Sequence, residues 1–103
     1  MKPVLIISTY PNKKSILKIS NYLVKTKIVA CVNISKIDSV YSWNDKIQNS
    51  SEYIAIFKTI TKNKIKLKKK IAETHPYEVP EIAEIDITSI NKSYLNWLTE
   101  STN

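Results

Sequence analysis

The sequence predicts one α+β domain of the ferredoxin-like type, with the element order β-α-β-β-α-β and an additional C-terminal helix. Two stretches with apolar residues at helical spacing connect four stretches that are β-branched or alternate between apolar and polar residues. The chain has 103 residues, of which 43% are apolar and 24% charged, which suits one small hydrophobic core. We therefore expect a single domain over residues 1–103.

The first strand and the first helix are predicted from an apolar run and a capping residue. Val4 to Ile7 is a short apolar run followed by turn residues up to Pro11, which is typical of a buried central strand. Asn12 can cap a helix over residues 12–26. The inward stripe of this helix is expected to consist of Ile16, Ile19 and Leu23, widened by Leu17 and Val24.

A long hairpin is predicted to follow. Residues 28–34 are apolar and β-branched on both parities, which favours a strand covered on two faces. Beyond Ser35 the apolar parity changes to that of Ile37, Tyr41 and Trp43, which indicates a bulge or bend. Asn44-Asp45 is the expected tip, because Asn and Asp tolerate positive φ better than other non-glycine residues.

The return strand has apolar residues on both faces. Tyr53, Ala55, Phe57 and Thr59 share one face, and Ile54 and Ile56 share the other. A four-stranded sheet with its helices on one side leaves the other side exposed to water. The strands covered on two sides therefore imply a partner subunit.

The remaining elements are a helix, a short strand and a last helix. Residues 63–74 have Leu67 and Ile71 as the inward ridge of a helix, with Ile65 and Ala72 as its flank. Residues 83–87 alternate as an amphipathic strand. The last helix is expected to begin near Asn91 and to carry Tyr94, Trp97 and Leu98 on one side.

Composition excludes several functions. The chain has no Gly, which phosphate-binding loops, dinucleotide fingerprints and RNA-recognition strands require. It also has no Arg, the residue that favours base readout, so the net charge of +7 and the six lysines between 62 and 70 do not predict specific nucleic-acid binding. That lysine run is interpreted as a solvated helix face. No apolar run approaches the length of a membrane span or a signal sequence, so we expect a cytoplasmic protein.

The strongest candidate site is the connection from His75 to Ile82. It holds an imidazole, a phenol and two carboxylates, Glu78 and Glu81, in a connection stiffened by Pro76 and Pro80. One interpretation makes His75 a ligand, and the other makes it a hydrogen-bond partner of a helix end while Tyr77 and the glutamates brace a subunit contact. Cys31 is either a small core residue or a further ligand. One Cys and one His cannot form an internal disulfide or a closed four-ligand zinc site.

Five blocks of sequence resemble the CutA family, the divalent-cation tolerance proteins. They are Ala30 to Ile34, Ser39 to Trp43, Lys58-Thr59, His75 to Ile82 and Tyr94 to Trp97, in the family's order and at its spacing. The resemblance covers nearly the whole chain. It implies a ferredoxin-like fold similar to that of PII signalling proteins, assembled as a homotrimer through sheet edges and the long hairpin. We expect interface positions at Tyr41, Trp43, Tyr53, Phe57, Tyr77 and Trp97.

The resemblance also implies binding of divalent metals, particularly Cu(II). Some bacterial members use a Cys at the end of the first strand and a second His before the conserved one, and the matching residues here are Ser8 and Thr74. The expected metal set is therefore His75 with Glu78, Glu81 or Cys31 as helpers, and the purified protein can also be metal-free. The alternative is a PII-like scaffold that holds a small molecule or a partner protein between subunits. No nucleophile–base pair is visible, so we expect no enzyme.

Overall fold

The computed structural model describes residues 1–103 and confirms the predicted order of elements. A short 3-10 turn at Thr61–Asn63 leads into the second helix. The elements are β1 (Pro3–Tyr10), α1 (Lys13–Lys25), β2 (Cys31–Trp43), β3 (Lys46–Ile60), α2 (Lys64–Thr74), β4 (Ala83–Asp86) and α3 (Lys92–Glu100).

The four strands form one antiparallel sheet in the order β2-β3-β1-β4. Both α1 and α2 pack against the same side, which we term the inner face. Ile16, Ile19 and Leu23 of α1 share one core cluster with Leu67 and Ile71 of α2, as the helical periodicity predicts. The strand residues of that cluster are Ile6, Tyr10, Ala55 and Phe57.

The inner face takes every second residue of each strand, as the parity of β3 predicts. Ala55, Phe57 and Thr59 are fully buried on it. Phe57 was expected at a subunit interface, and that prediction is wrong because its ring is 0% exposed within a single chain. The opposite side, which we term the outer face, carries Ile7, Ile54 and Ile56, and these side chains are only half-buried.

The β2–β3 hairpin has no bulge, so that prediction is also wrong. The pairing runs without interruption from Cys31 opposite Lys58 to Trp43 opposite Lys46. The apolar parity changes because the helices cover the inner face only as far as Ile34, and the hairpin beyond it has its larger apolar side chains on the outer face. The tip is confirmed: Asn44 and Asp45 have φ values of 52° and 61°, the left-handed geometry of a two-residue hairpin turn.

The ends of α1 have clear causes. The Asn12 side chain accepts a hydrogen bond from the Ser15 backbone N–H at 2.8 Å, so the predicted cap is confirmed. At the other end Lys27 has a φ of 62°, and the backbone N–H groups of Ile28 and Val29 both donate to the Leu23 carbonyl. These bonds hold residues 28–30 in the core as an irregular segment, so β2 begins at Cys31 and not at Ile28.

The helices bury narrower stripes than their sequences predict. Leu17 and Val24 of α1 and Ile65 of α2 are exposed, with Ile65 at 74%, because the sheet reaches only the central ridge of each helix. The last helix, α3, lies over the outer face at the end near Ile60. There Leu98 is fully buried with Ile60 and Ala30, and Tyr94 packs against this small cluster.

Candidate functional site

His75 follows α2 directly and lies against the end of β1. Its Nε2 is 3.1 Å from the Ser8 hydroxyl, and its ring stacks on Tyr10 at a centroid distance of 4.2 Å. Its Nδ1 accepts a hydrogen bond from the Tyr77 backbone N–H at 3.1 Å. A neutral ring with an accepting Nδ1 has its proton on Nε2, so Nε2 donates to Ser8. Burial lowers the pKa of His75 below its ordinary value, and a hydrogen bond to the Thr9 backbone opposes this in part.

These contacts engage both nitrogens of the imidazole. A metal at Nδ1 would displace the Tyr77 backbone N–H, and a metal at Nε2 would displace Ser8. His75 therefore joins the segment after α2 to the end of β1, and its ring makes no hydrogen bond to the end of the helix itself. The group that faces Nε2 is the Ser8 hydroxyl.

The other three residues of the expected metal set lie elsewhere. Glu78 and Glu81 are exposed on the segment between α2 and β4. Cys31 lies on the outer face opposite Lys58, whereas His75 contacts Ser8 and Tyr10, which lie on the inner face. No group of three or more His, Cys, Asp or Glu side chains is arranged to hold a metal ion. The donors of one chain therefore do not fit a closed metal site.

A partly buried acid–phenol pair lies where the same segment crosses the outer face. The Tyr77 hydroxyl donates to Glu52 Oε2 at 2.6 Å, and Glu52 is only 9% exposed. Burial raises the pKa of Tyr77, and the Glu52 carboxylate raises it further. Glu52 is not among the site residues predicted from the sequence. Its parity does place it on the same face as Ile54 and Ile56, where an acidic residue needs a partner, and this pattern could have identified it.

The Glu52–Tyr77 pair forms one wall of a groove with a volume of about 580 Å³. We term it the outer groove. Tyr41 and Trp43, farther along the same hairpin as Glu52, also line it and remain 43% and 48% exposed. The residues that line it are Thr9, Ile37, Ser39, Val40, Tyr41, Trp43, Glu52, Ile54, Tyr77, Glu78, Val79 and Glu81.

The expected interface residues are thus divided among three places. Tyr41, Trp43 and Tyr77 line the outer groove. Tyr53 packs against the core from the inner face, as Phe57 does. Trp97 is 44% exposed on α3, where its ring lies 5.4 Å from that of Tyr94.

The fold and this site define a class: ferredoxin-like α+β proteins with an extended β2–β3 hairpin and a partly apolar outer sheet face. A family model described as CutA1 divalent ion tolerance protein matches residues 4–101. The chain belongs to the CutA1 family, and the resemblance seen in its sequence is confirmed.

Individual relatives agree over nearly the full length. The divalent-cation tolerance protein CutA of Pyrococcus horikoshii is 37% identical over 99 residues, covering 96% of this chain and 97% of that protein. The crystal structure of the divalent ion tolerance protein CutA1 from Ehrlichia chaffeensis is 38% identical, with a TM-score of 0.95 over 100% of this chain and 98% of that one.

One solved relative bears on location. The structure of the CutA protein from Archaeoglobus fulgidus is described as a periplasmic divalent cation tolerance protein; it is 30% identical, with a TM-score of 0.91 over 96% of this chain and 97% of that one. Among the three α-helices of the present chain, none has the length and apolar character needed to cross a membrane.

Proposed function

We propose that this chain forms a homotrimer that takes part in the response to divalent cations and binds a divalent metal, Cu(II) most strongly. The link to divalent cations comes from the family, whose description names tolerance of divalent ions and no reaction. We accordingly propose no catalytic activity. The observation that carries the trimer is the outer face, where apolar side chains of β1 and β3 have no covering layer in a single chain.

The outer face supports assembly in two ways. Ile7, Ile54 and Ile56 present half-buried apolar surface beside the outer groove, and the hairpin extends Tyr41 and Trp43 past the helices. An obligate interface buries about 2,000 Å² or more and is as apolar as a core. A partly apolar sheet face and a projecting hairpin are more stable when buried in such an interface than when exposed to water.

Sedimentation equilibrium tests the trimer. The expected species has three times the chain mass of 11.9 kDa and does not dissociate before it unfolds. A folded monomer at micromolar concentration would disprove it.

The metal proposal rests on His75, the only imidazole in the chain. To bind a metal at Nδ1, the ring would give up the hydrogen bond from the Tyr77 backbone N–H and keep its proton on Nε2. Copper heads the affinity order for divalent metals at imidazole and mixed sites, so few ligands are needed for weak binding. Since the donors of one chain do not form a closed site, the remaining ligands would come from a second chain of the trimer. Metal affinity should then depend on assembly.

Calorimetric titration with Cu(II) tests this ligand. We expect wild-type protein to bind and the His75→Ala variant to lose binding while it remains a trimer by sedimentation. Cys31→Ser is the companion variant: a loss of affinity would place Cys31 of a neighbouring chain among the ligands, and unchanged affinity would leave His75 with the carboxylates. Equal affinity in wild type and His75→Ala would refute His75 as the ligand.

A PII-like role is the second candidate, and the outer groove is the observation that favours it. Its volume of about 580 Å³ lies within the range of small-molecule sites, and it combines apolar walls with one partly buried polar pair. Native mass spectrometry of the gently purified protein would show a bound small molecule. Glu52→Gln should release that molecule, whereas an unliganded spectrum and no change on Glu52→Gln would count against this role.

We also propose a cytoplasmic location, as the sequence predicts. Cell fractionation with an antibody to the native protein tests it. Release by osmotic shock, as expected for a periplasmic protein, would contradict the proposal.

A further inference from the structure

The charges of this chain are divided between its layers. Residues 12–27 and 61–75, which contain α1 and α2, hold eleven lysines and one acidic residue, a net charge of +10. The rest of the chain holds five lysines and eight acidic residues, a net charge of −3, which together with the helix segments gives the formal total of +7. All of the net positive charge is therefore on the helix side, away from the outer face that the proposed trimer uses.

Part of that charge surrounds a concave site. Two hollows of about 440 and 510 Å³ lie between α1 and α2, and both are lined by Tyr22 and Lys70. We term the pair of hollows the helix groove. Lys18 lines one hollow, and Lys66 and Lys69 line the other.

Three of the four groove lysines differ from their neighbours in having no carboxylate partner. Lys64 and Lys68, on the other side of α2, both bind Glu84 of β4, at 3.0 and 2.7 Å. In contrast, Lys18, Lys66 and Lys69 form no salt bridge. The only carboxylate in the groove is Glu73, whose Oε2 is 3.9 Å from Lys70 Nζ.

An aromatic ring forms the floor between the hollows. Tyr22 is 44% exposed, and Lys70 Nζ lies over its ring at 5.3 Å from the centroid. This contact holds the amine between the two hollows. The four lysines thus line two neighbouring hollows that share Lys70, and each hollow has a volume within the range of small-ligand sites.

We propose that the helix groove binds a small polyphosphate anion, free or as part of a nucleotide. Lysine amines bind phosphate as point charges and need no glycine loop, which suits a chain without Gly or Arg. A concave site for a short phosphate chain fits the position of these lysines between two helices better than a flat polyanion surface does. This function is separate from the proposed metal response, because it uses none of the residues of that site.

Titration calorimetry with sodium tripolyphosphate at physiological ionic strength is the first test. We expect the triple variant Lys18→Gln, Lys66→Gln, Lys69→Gln to bind at least about tenfold more weakly than wild type. The matched control is Lys13→Gln, Lys14→Gln, Lys25→Gln, which removes the same charge from α1 outside the groove and should change affinity less than about twofold. Equal weakening in both variants, or no binding by wild type, would overturn the proposal.

A change of the opposite sign sharpens the test. Glu73→Gln removes the only carboxylate of the groove, so tripolyphosphate should bind more tightly, and weaker binding would contradict the assignment. The two sources of phosphate are separated with ATP. Equal affinities for ATP and tripolyphosphate would mean that the phosphate chain alone is recognised, whereas tighter ATP binding that is lost in Tyr22→Leu would identify a nucleotide. Salt-resistant binding of a single-stranded oligonucleotide without tripolyphosphate binding would overturn the small-anion site.

Discussion

The two faces of the sheet are built from the same strands but are completed differently. On the inner face, Ile6, Ala55 and Phe57 are fully buried by α1 and α2. On the outer face, their neighbours Ile7, Ile54 and Ile56 are only half-buried, and α3 covers just one end. The inner face therefore stabilises the protomer, whereas the outer face leaves apolar surface on which a second molecule can pack.

The largest effect should come from truncating the inner face. Phe57→Ala removes a fully buried ring and should lower the free energy of unfolding by about 3–5 kcal/mol per protomer. Ile56→Ala, one residue away on the outer face, should lower the free energy of unfolding of the protomer by less. Its main effect should be weaker association between subunits. Chemical denaturation at several protein concentrations measures both. A Phe57→Ala variant that weakens assembly but unfolds normally would reverse the assignment of the two faces.

A charge on the outer face should have the next largest effect. Ile54→Lys places an ammonium among apolar residues of β3, so we expect sedimentation velocity to show loss of the trimer. Ile65→Lys makes the same chemical change on α2, where the side chain is already 74% exposed. It should leave both mass and stability unchanged within about 0.5 kcal/mol. Wild-type mass in both variants would exclude the outer face as the interface.

A smaller effect is expected from a buried hydroxyl on the inner face. Thr59 Oγ1 donates to the Ile28 carbonyl at 2.6 Å, and that carbonyl also accepts from Asn63 Nδ2 at 3.2 Å. Thr59→Val should therefore cost only about 1 kcal/mol by thermal or urea unfolding, since the carbonyl keeps one partner. Thr99→Val removes a hydroxyl bond to its own helix and is the control, with little change expected. Equal losses in the two variants would argue against a special role for Thr59.

The smallest predicted effect is a dependence of stability on pH. Burial lowers the pKa of His75, so its stabilising contribution is present above the unfolded value of about 6.5 and is lost as pH falls through the lower folded value. Uptake of one full proton would change the free energy of unfolding by about 1.4 kcal/mol per pH unit. The slope for His75 should stay well below this value, because the ring is only partly buried. Urea unfolding of wild type and His75→Gln between pH 7.5 and 5 measures it. A slope that persists in His75→Gln would belong to another group.

The sequence predicts those features of the fold that depend on neighbours along the chain. Parity along β3 assigns Phe57 and Ile56 to opposite faces, and the tip at Asn44-Asp45 follows from tolerance of positive φ. The predicted bulge and the wide apolar flanks of the helices fail for a different reason. Leu17 and Ile65 have the right spacing to be buried, but whether a flank is covered depends on how far the sheet extends beneath it.

The candidate site could be predicted only in part for the same reason. The segment from His75 to Ile82 stands out as a cluster of functional groups, but its partners Ser8, Tyr10 and Glu52 belong to distant strands. No local sequence pattern predicts that both imidazole nitrogens form hydrogen bonds within the chain. Likewise, the separation of Cys31 from His75 depends on strand register, which composition and spacing do not reveal.

The two edges of the sheet differ in their capacity to recruit further strands. At one edge, β4 has only four residues, and two lysines of α2 form salt bridges to its Glu84. An incoming strand would find few free backbone groups there, and the side chains beside them are charged. At the other edge, β2 offers thirteen residues of backbone with no partner on its open side. Uncontrolled growth of the sheet during synthesis, the first step toward aggregates, is therefore open in one direction only. Whatever occupies the β2 edge in the native assembly also protects the newly made protein from that fate.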